Sequence, residues 1–171
     1  MIGPRAVFLV GFMGVGKSTA GRALARILGW DFVDLDERIV EREGRGIASI
    51  FAEAGERHFR RIEGEILATL RGRERIVVAC GGGTYAQQAH RALIDALGAA
   101  VWIQLPIEEA LRRCGAGADR PMFRGPAEAR ALYERRLPSY RAARLQIDAE
   151  GLAPEQVAER IAALLVRGSP A

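Results

Sequence analysis

The chain has 171 residues, of which 49% are hydrophobic and 27% charged, and its formal net charge is +4 at pH 7. This length fits one domain with a complete hydrophobic core, and this balance is typical of a soluble globular protein. No apolar run is long enough to span a membrane, no signal peptide precedes the first predicted strand, and the arginines alternate with acidic residues instead of forming one basic patch. We therefore expect a cytoplasmic protein, taken to be a monomer, with no membrane or nucleic-acid partner.

The first predicted elements surround a phosphate-binding pattern. Residues 6–10 are an unbroken apolar run, typical of a strand buried on both faces. Residues 11–18 fit G-x-x-x-x-G-K-[ST], and residues 18–28 have the spacing of a helix. Lys17 of this pattern is the only lysine among 25 basic side chains. We predict that backbone N–H groups and the compact ammonium of Lys17 bind phosphate, and that the hydroxyl of Ser18 can ligate Mg²⁺.

The rest of the chain alternates between strand-like and helical segments. The further predicted strands span residues 32–33, 76–80, 100–105 and 145–148. The further predicted helices span residues 37–43, 47–54, 57–71, 86–97, 106–113 and 127–137, and a last one begins at Pro154. This alternation predicts an α/β fold with one five-stranded parallel sheet covered by helices on both faces. Residues 114–126, rich in glycine and proline and bearing Arg120, predict a flexible lid.

Polar and glycine-rich residues follow the predicted strands, at the edge where open α/β sheets bind ligands. Asp34 and Asp36 follow the second strand, and three glycines at 81–83 follow the third. In an extended stretch the two carboxylates would point to the same side, so that one could support a metal ion while the other meets a hydroxyl group. The alternative is ordinary helix N-capping, for which Asp is favoured.

Taken together, these motifs resemble the shikimate kinase family over nearly the whole chain. The resemblance rests on residues 11–19 (GFMGVGKST), 34–36 (DLD), 59–63 (FRRIE), 81–83 (GGG), 119–121 (DRP) and 136–140 (RLPSY). The phosphate loop alone would indicate only a very large superfamily, whereas the ordered set is far more specific. It implies one phosphate-loop kinase domain over residues 1–171, with a lid at about 114–126 and a substrate-binding helical segment at about 37–63.

The resemblance also implies roles for individual residues. It assigns ATP binding to Gly14, Val15, Gly16, Lys17, Ser18, Thr19, Arg113, Arg120 and Pro154. It assigns substrate binding to Asp36, Arg60, Gly81, Gly82, Gly83 and Arg136. Lys17, Asp36 and Arg120 would be catalytic, and Ser18 and Asp34 would hold the metal. Arg60 and Arg136 would grip a carboxylate with guanidinium forks, and Glu63 would hold Arg60 in place.

The activity implied is transfer of the γ-phosphoryl group of ATP to the 3-hydroxyl of shikimate, with Mg²⁺ as cofactor and ADP and shikimate 3-phosphate as products. This reaction serves aromatic amino acid biosynthesis. A kinase for another sugar acid, such as gluconate, and a nucleotide-binding module without catalysis stay open as alternatives.

Several other side chains receive simpler interpretations. Trp102 and Cys80 are expected in the core, and Tyr140 either packs under Arg136 or fills the core. His58 and His90 have no metal partner at helical spacing and are predicted to lie on the surface.

Overall fold

The structure is a computed structural model that describes residues 5–114 and 125–167. Its strands are β1 (Ala6–Val10), β2 (Asp31–Asp34), β3 (Ile76–Ala79), β4 (Ala99–Gln104) and β5 (Leu145–Asp148). Its helices are α1 (Lys17–Leu28), α2 (Leu35–Glu43), α3 (Ile47–Ala68), α4 (Gln88–Leu97), α5 (Ile107–Cys114), α6 (Pro126–Arg141) and α7 (Pro154–Arg167). Each predicted element is present within a few residues of its expected bounds. Arg120 and most of the predicted lid lie outside the described residues.

All five strands are parallel and form one sheet in the order β2-β3-β1-β4-β5. In the centre, Phe8 of β1 is paired with Val78 of β3 and with Ala100 of β4. Every residue of β1 and β3 is buried, which requires helices on both faces of the sheet. The predicted α/β fold is thereby confirmed.

The strand order places a crevice at the end of β1. The chain runs from β1 to β2 and β3 on one side, then crosses to β4 and β5 on the other. Parallel sheets bind ligands at such a reversal, beyond the carboxyl ends of the strands. Residues 11–16 leave β1 at this point and lead directly into α1.

Glycines set both ends of α1. Gly16 precedes its first turn with φ of 87° and Gly29 follows its last turn with φ of 63°, both in the left-handed region that favours glycine. No side chain caps the first turn. Its backbone N–H groups therefore point toward the crevice as an anion-binding end of a helix.

Two segments differ from the sequence-based expectation. Asp34 is not followed by an extended stretch, because α2 begins at Leu35 and places Asp36 in its first turn. Asp34 is the N-cap: its Oδ1 accepts hydrogen bonds from the backbone N–H groups of Asp36 at 3.0 Å and Glu37 at 3.2 Å. The capping alternative therefore holds for Asp34, whereas Asp36 does not cap the helix.

The second difference is that α6 continues through Pro138 to Arg141 instead of ending at residue 137. Proline removes one helical hydrogen bond, a cost that tertiary contacts can outweigh. Here the contacts come from Tyr140, which is fully buried, donates its hydroxyl to the carbonyl oxygen of Gly82 at 2.5 Å, and stacks on Trp102. The expected core positions of Trp102 and Cys80 are confirmed.

Helix α3 is interrupted at Gly55, where φ is 81° and ψ is 169°. This matches the expected separation of two helical segments at that glycine, and the second segment carries Arg60 and Glu63. No helix in residues 5–114 and 125–167 is long and apolar enough to cross a membrane.

Candidate active site

A cavity of about 680 Å³ opens at the carboxyl ends of β1, β2 and β3. Most of the residues expected from the motifs line it. These are Gly14, Gly16, Lys17, Ser18, Thr19, Asp34, Asp36, Gly81, Gly82, Arg113 and Pro154. Met13 of the phosphate loop also lines the cavity, and Leu152 and Ala153, which no motif indicated, contribute to its wall.

The phosphate loop encloses Lys17, which is only 9% exposed. Its Nζ donates to the carbonyl oxygens of Gly11 and Phe12, each at 2.8 Å, so the ammonium lies inside the curve of the loop. Gly14 has φ of 79°, and a methyl group built there would lie 2.5 Å from the carbonyl oxygen of Ala110. Glycine is therefore required at this position both for its backbone angle and for space.

The neighbouring positions in the loop face in different directions. The side chain of Val15 is buried in the core, so that only its backbone can face a ligand, whereas Ser18 and Thr19 are exposed. Arg113 lies in the last turn of α5, where its Nε lies 3.1 Å from Oε1 of Glu109. Pro154, at the start of α7, lines the same cavity. The motif residues from five separate parts of the chain therefore meet at one opening.

Two oxygen atoms beside the loop form a candidate metal site. Oγ of Ser18 donates to Oδ2 of Asp34 at 2.5 Å, while Oδ1 of Asp34 is occupied in capping α2. No group of three or more His, Cys, Asp or Glu side chains that could hold a metal ion occurs in the part of the chain that the structure describes. A hydroxyl and one carboxylate oxygen fit Mg²⁺, which binds few protein ligands and keeps water and phosphate oxygens in its shell.

Asp36 lies across the cavity, next to the glycines that follow β3. A methyl group built at Gly81 would lie 3.0 Å from Oδ1 of Asp36. Burial, and then the negative charges of Asp34 and Glu63, raise the pKa of Asp36 from 3.8 to about 6. A carboxylate with a pKa this close to neutrality is a better proton acceptor than an ordinary one.

The raised pKa predicts that Asp36 costs stability at neutral pH. The folded protein binds a proton at Asp36 more tightly than the unfolded chain does. Protonated Asp36 therefore contributes stability that is fully present below pH 3.8 and is lost as the pH rises through about 6. Asp36→Asn should therefore be more stable than the wild type by about 1–2 kcal/mol at pH 7.5, below the full value of such a shift because the side chain is partly exposed. Urea unfolding in EDTA without nucleotide, at pH 4.5 and 7.5, measures this. Equal differences at both pH values would contradict it.

On α3, Arg60 is held by two glutamates. Its Nη1 donates to Oε2 of Glu63 at 2.8 Å, and its Nη2 lies 3.4 Å from Oε1 of Glu56. Glu63 is fully buried, and the hydroxyl of Thr84 donates to its Oε1 at 2.5 Å. The expectation that Glu63 orients Arg60 is consistent with this contact.

Arg136 approaches the same place from α6 and is only 5% exposed. Its Nη1 is buried without a hydrogen-bond partner, and no carboxylate of the described residues lies within ion-pair distance of it. Burial lowers the pKa of Arg136, and the charge of Arg60 lowers it further, although the hydroxyl of Tyr140 counteracts this. A buried guanidinium stays charged and is costly without an anion, so the unpaired donor indicates an anionic ligand.

The two arginines meet at the glycines after β3. A methyl group at Gly83 would lie 2.7 Å from Nη2 of Arg136 and would also contact Nη2 of Arg60. A methyl group at Gly82 would lie 3.3 Å from Nη1 of Arg136. Glycine at these positions therefore leaves space for both guanidinium groups, which together form a two-armed cationic clamp about one small volume.

Sequence reasoning missed part of this site. His90 was expected on the surface, but it is 8% exposed and its Nδ1 lies 3.1 Å from Oε2 of Glu63. His90 and the buried Ile94 are four residues apart on α4 and share its inner face, a helical spacing that could have indicated burial. The sequence around Thr84 contains no comparable spacing that would have indicated its burial. His58, in contrast, is part-exposed and lies 2.9 Å from Glu43.

Comparison with known proteins agrees with this geometry. The family model described as shikimate kinase matches residues 13–166. The shikimate kinase of Moorella thermoacetica is 40% identical over 160 residues, which cover 92% of this chain and 92% of the relative. A solved structure of the Acinetobacter baumannii shikimate kinase in complex with shikimate superposes with a TM-score of 0.93 at 33% identity, covering 98% of this chain and 96% of the other.

A gluconokinase from Sinorhizobium meliloti is more distant. It superposes with a TM-score of 0.62 at 19% identity, covering 99% of this chain and 95% of the other, which shows a shared fold alone. The family-model match spans residues 13–166, and the similarity to the Moorella enzyme covers 92% of the chain. The resemblance first indicated by the motifs is therefore confirmed, and the chain belongs to the shikimate kinase family.

Proposed function

We propose that the protein transfers the γ-phosphoryl group of ATP to the 3-hydroxyl of shikimate, giving shikimate 3-phosphate and ADP. The observation that carries the proposal is the cationic clamp of Arg60 and Arg136, in which Nη1 of Arg136 is a buried donor with no hydrogen-bond partner among the described residues. The clamp and the phosphate loop lie on either side of Asp36 and the glycines after β3. A small acid with hydroxyl groups would therefore have its carboxylate in the clamp and a hydroxyl group near the phosphates.

On the acceptor side, the planar carboxylate of shikimate would accept paired hydrogen bonds from the two guanidinium groups. The ring would lie against Gly81, Gly82 and Gly83, where no side chain prevents close approach. Asp36 would accept a hydrogen bond from the reacting hydroxyl and orient it. Its raised pKa of about 6 also suits a group that accepts the hydroxyl proton.

On the donor side, the N–H groups of Gly14, Val15 and Gly16 and the start of α1, with Ser18 and Thr19, would hold the phosphates of ATP. Arg113 and Pro154 would lie on either side of the adenine ring. Lys17, and Arg120 delivered by a closing lid at about residues 114–126, would stabilise the charge on the transferring group.

Ser18 and Asp34 are the residues that would hold Mg²⁺. Once bound, this ion would neutralise negative charge on the phosphate oxygens. The acceptor oxygen forms the new bond to phosphorus as the bond to the leaving oxygen of ADP breaks, and the hydroxyl proton leaves to Asp36 or solvent. The transfer is direct, because none of the described residues that line the cavity is a histidine that could activate a serine or cysteine nucleophile.

We also propose that the protein is a monomer in the cytoplasm. One chain supplies every residue proposed here, including the helical segment at about 37–63 that ends in the clamp, which supports a monomer. Both cysteines, Cys80 and Cys114, are free thiols, as is usual in the reducing cytoplasm.

An assay of ADP release across a panel of acids would separate this proposal from its rivals. Shikimate, quinate and gluconate would be compared, each at saturating MgATP, with a reaction lacking acceptor as the control. We expect release that depends on shikimate. Dependence on gluconate would support the other sugar-acid kinase, and no acceptor-dependent release with any acid would support a binding module.

The clamp makes a separate prediction. Arg60→Ala or Arg136→Ala should weaken shikimate binding by about 1.5–3 kcal/mol, the range for hydrogen bonds to charged groups, or roughly 10- to 150-fold in Kd. Titration calorimetry with shikimate and with ATP measures both ligands. Arg61→Ala, which removes an exposed arginine of the same helix, is the matched control. Equal losses for shikimate and ATP would contradict the assignment.

A further inference from the structure

Glu63 is the buried centre of a polar network that joins three parts of the chain. Its Oε2 accepts from Arg60 on α3, and its Oε1 accepts from Thr84, which follows the three glycines. Nδ1 of His90, on α4, lies 3.1 Å from Oε2. Burial raises the pKa of Glu63, but His90, the charge of Arg60 and Thr84 together hold that pKa below its usual value. Glu63 is thus a fully buried carboxylate that stays ionised.

The position of His90 is set by the contact between α3 and α4. Its ring lies against Gly64, where a methyl group would be 2.9 Å from Nε2. The contact of Nδ1 with Oε2 of Glu63 is a short polar one without the alignment of a full hydrogen bond, and Nδ1 has no other partner among residues 5–114 and 125–167, so Glu63 is the acceptor within its reach. An apolar side chain would fill the same space without providing a donor.

We propose that His90 is a positioning residue of the cationic clamp, which holds the carboxylate of Glu63 so that Glu63 in turn holds the guanidinium of Arg60. The inference rests on the proposed function. Arg60 and Glu63 lie on the same helix, so their ion pair alone allows both side chains to move together. Contacts from Thr84 and His90 tie that pair to the glycines and to α4, and thereby fix one arm of the clamp relative to the other.

The test compares three variants by steady-state kinetics with shikimate and ATP. His90→Leu keeps bulk but removes the donor, and His90→Asn keeps an N–H group at the place of Nδ1. His58→Leu makes the same change at a histidine that contacts a glutamate outside the site. We expect His90→Leu to raise the KM for shikimate about 3- to 10-fold, the equivalent of one hydrogen bond, with the KM for ATP unchanged. His90→Asn and His58→Leu should stay close to wild type.

A double variant separates positioning from simple packing. In the Glu63→Gln background, His90→Leu should have little further effect on the KM for shikimate, because the group through which it acts is altered. The proposal would be overturned if the effects of Glu63→Gln and His90→Leu on the KM for shikimate multiplied in full. It would also be overturned if His90→Leu raised the KM values for shikimate and ATP equally, or raised neither. A fourth contrary result would be His90→Asn behaving like His90→Leu.

Gly64→Ala provides a second route if His90→Leu does not fold. The added methyl group displaces the ring of His90 without altering Glu63 or Arg60, so it should also raise the KM for shikimate. An unchanged KM in that folded variant would overturn the proposal. Failure of the proposed function would be visible in the wild type, as absence of shikimate-dependent ADP release, whereas failure of the positioning role would be visible only in the variants.

Discussion

Lys17→Arg is expected to lower kcat by about 10²–10³, the loss typical of one donor aimed at developing charge, although the substitution preserves the formal charge. The ammonium of Lys17 is almost buried and donates to two carbonyl oxygens of its own loop at 2.8 Å. This space suits a compact ammonium on a flexible stem and not a broad planar guanidinium. The chain uses arginine at all its other basic positions, so the preference for lysine is specific to the loop.

The measurement is kcat and ATP affinity of Lys17→Arg, with the melting temperature as a check on folding. Arg26→Lys, on an exposed position of the same helix, is the matched reverse exchange and should leave kcat unchanged. A folded Lys17→Arg protein that keeps more than about a tenth of the wild-type kcat would contradict a catalytic role for this lysine.

Asp36→Asn is expected to reduce turnover by about 10²–10⁴, the usual contribution of a positioned acid or base. Asparagine keeps the shape but loses the negative charge that orients the acceptor hydroxyl. Because the charge of Asp36 is costly in the folded protein, the same variant should gain stability at neutral pH. Loss of activity together with gain of stability is characteristic of a functional group in an unfavourable environment.

The matched control is Glu37→Gln, which neutralises the adjacent acidic residue in α2. Glu37 is exposed and pairs with Arg22 on the surface, so turnover should change little. Near-normal turnover of Asp36→Asn, with intact circular dichroism, would reduce Asp36 to a structural residue of the first turn of α2.

The sequence predicted the elements and the phosphate loop because both depend on residues close together in the chain. The unbroken apolar run of residues 6–10 requires burial on both faces, and the glycines and lysine that follow must be contiguous to curve around a phosphate. The interruption of α3 at Gly55 could also be predicted, because it depends on one glycine and its neighbours in the chain. The roles of Arg60 and Arg136 came from the resemblance, since 75 intervening positions give no local sign that the two side chains meet.

The features that the sequence did not predict depend on contacts between distant elements. The strand order is decided by how helices pack on the sheet. Helix α6 passes through Pro138 because Tyr140 contacts Gly82 and Trp102. His90 is buried because α4 packs against α3 at Gly64. At the start of α2 the sequence left two interpretations open, an extended stretch or an N-capped helix, and the structure has the second, with Asp34 as the N-cap.

The most direct test of the central claim is the identity of the phosphorylated product. The wild-type protein, MgATP and shikimate would be incubated, and the product examined by NMR for coupling between phosphorus and the proton on the ring carbon that bears the 3-hydroxyl. The proposed geometry predicts one phosphomonoester, at the 3-hydroxyl, formed in equal amount to ADP. ADP accompanied by inorganic phosphate and unmodified shikimate, or phosphate on another hydroxyl, would contradict it.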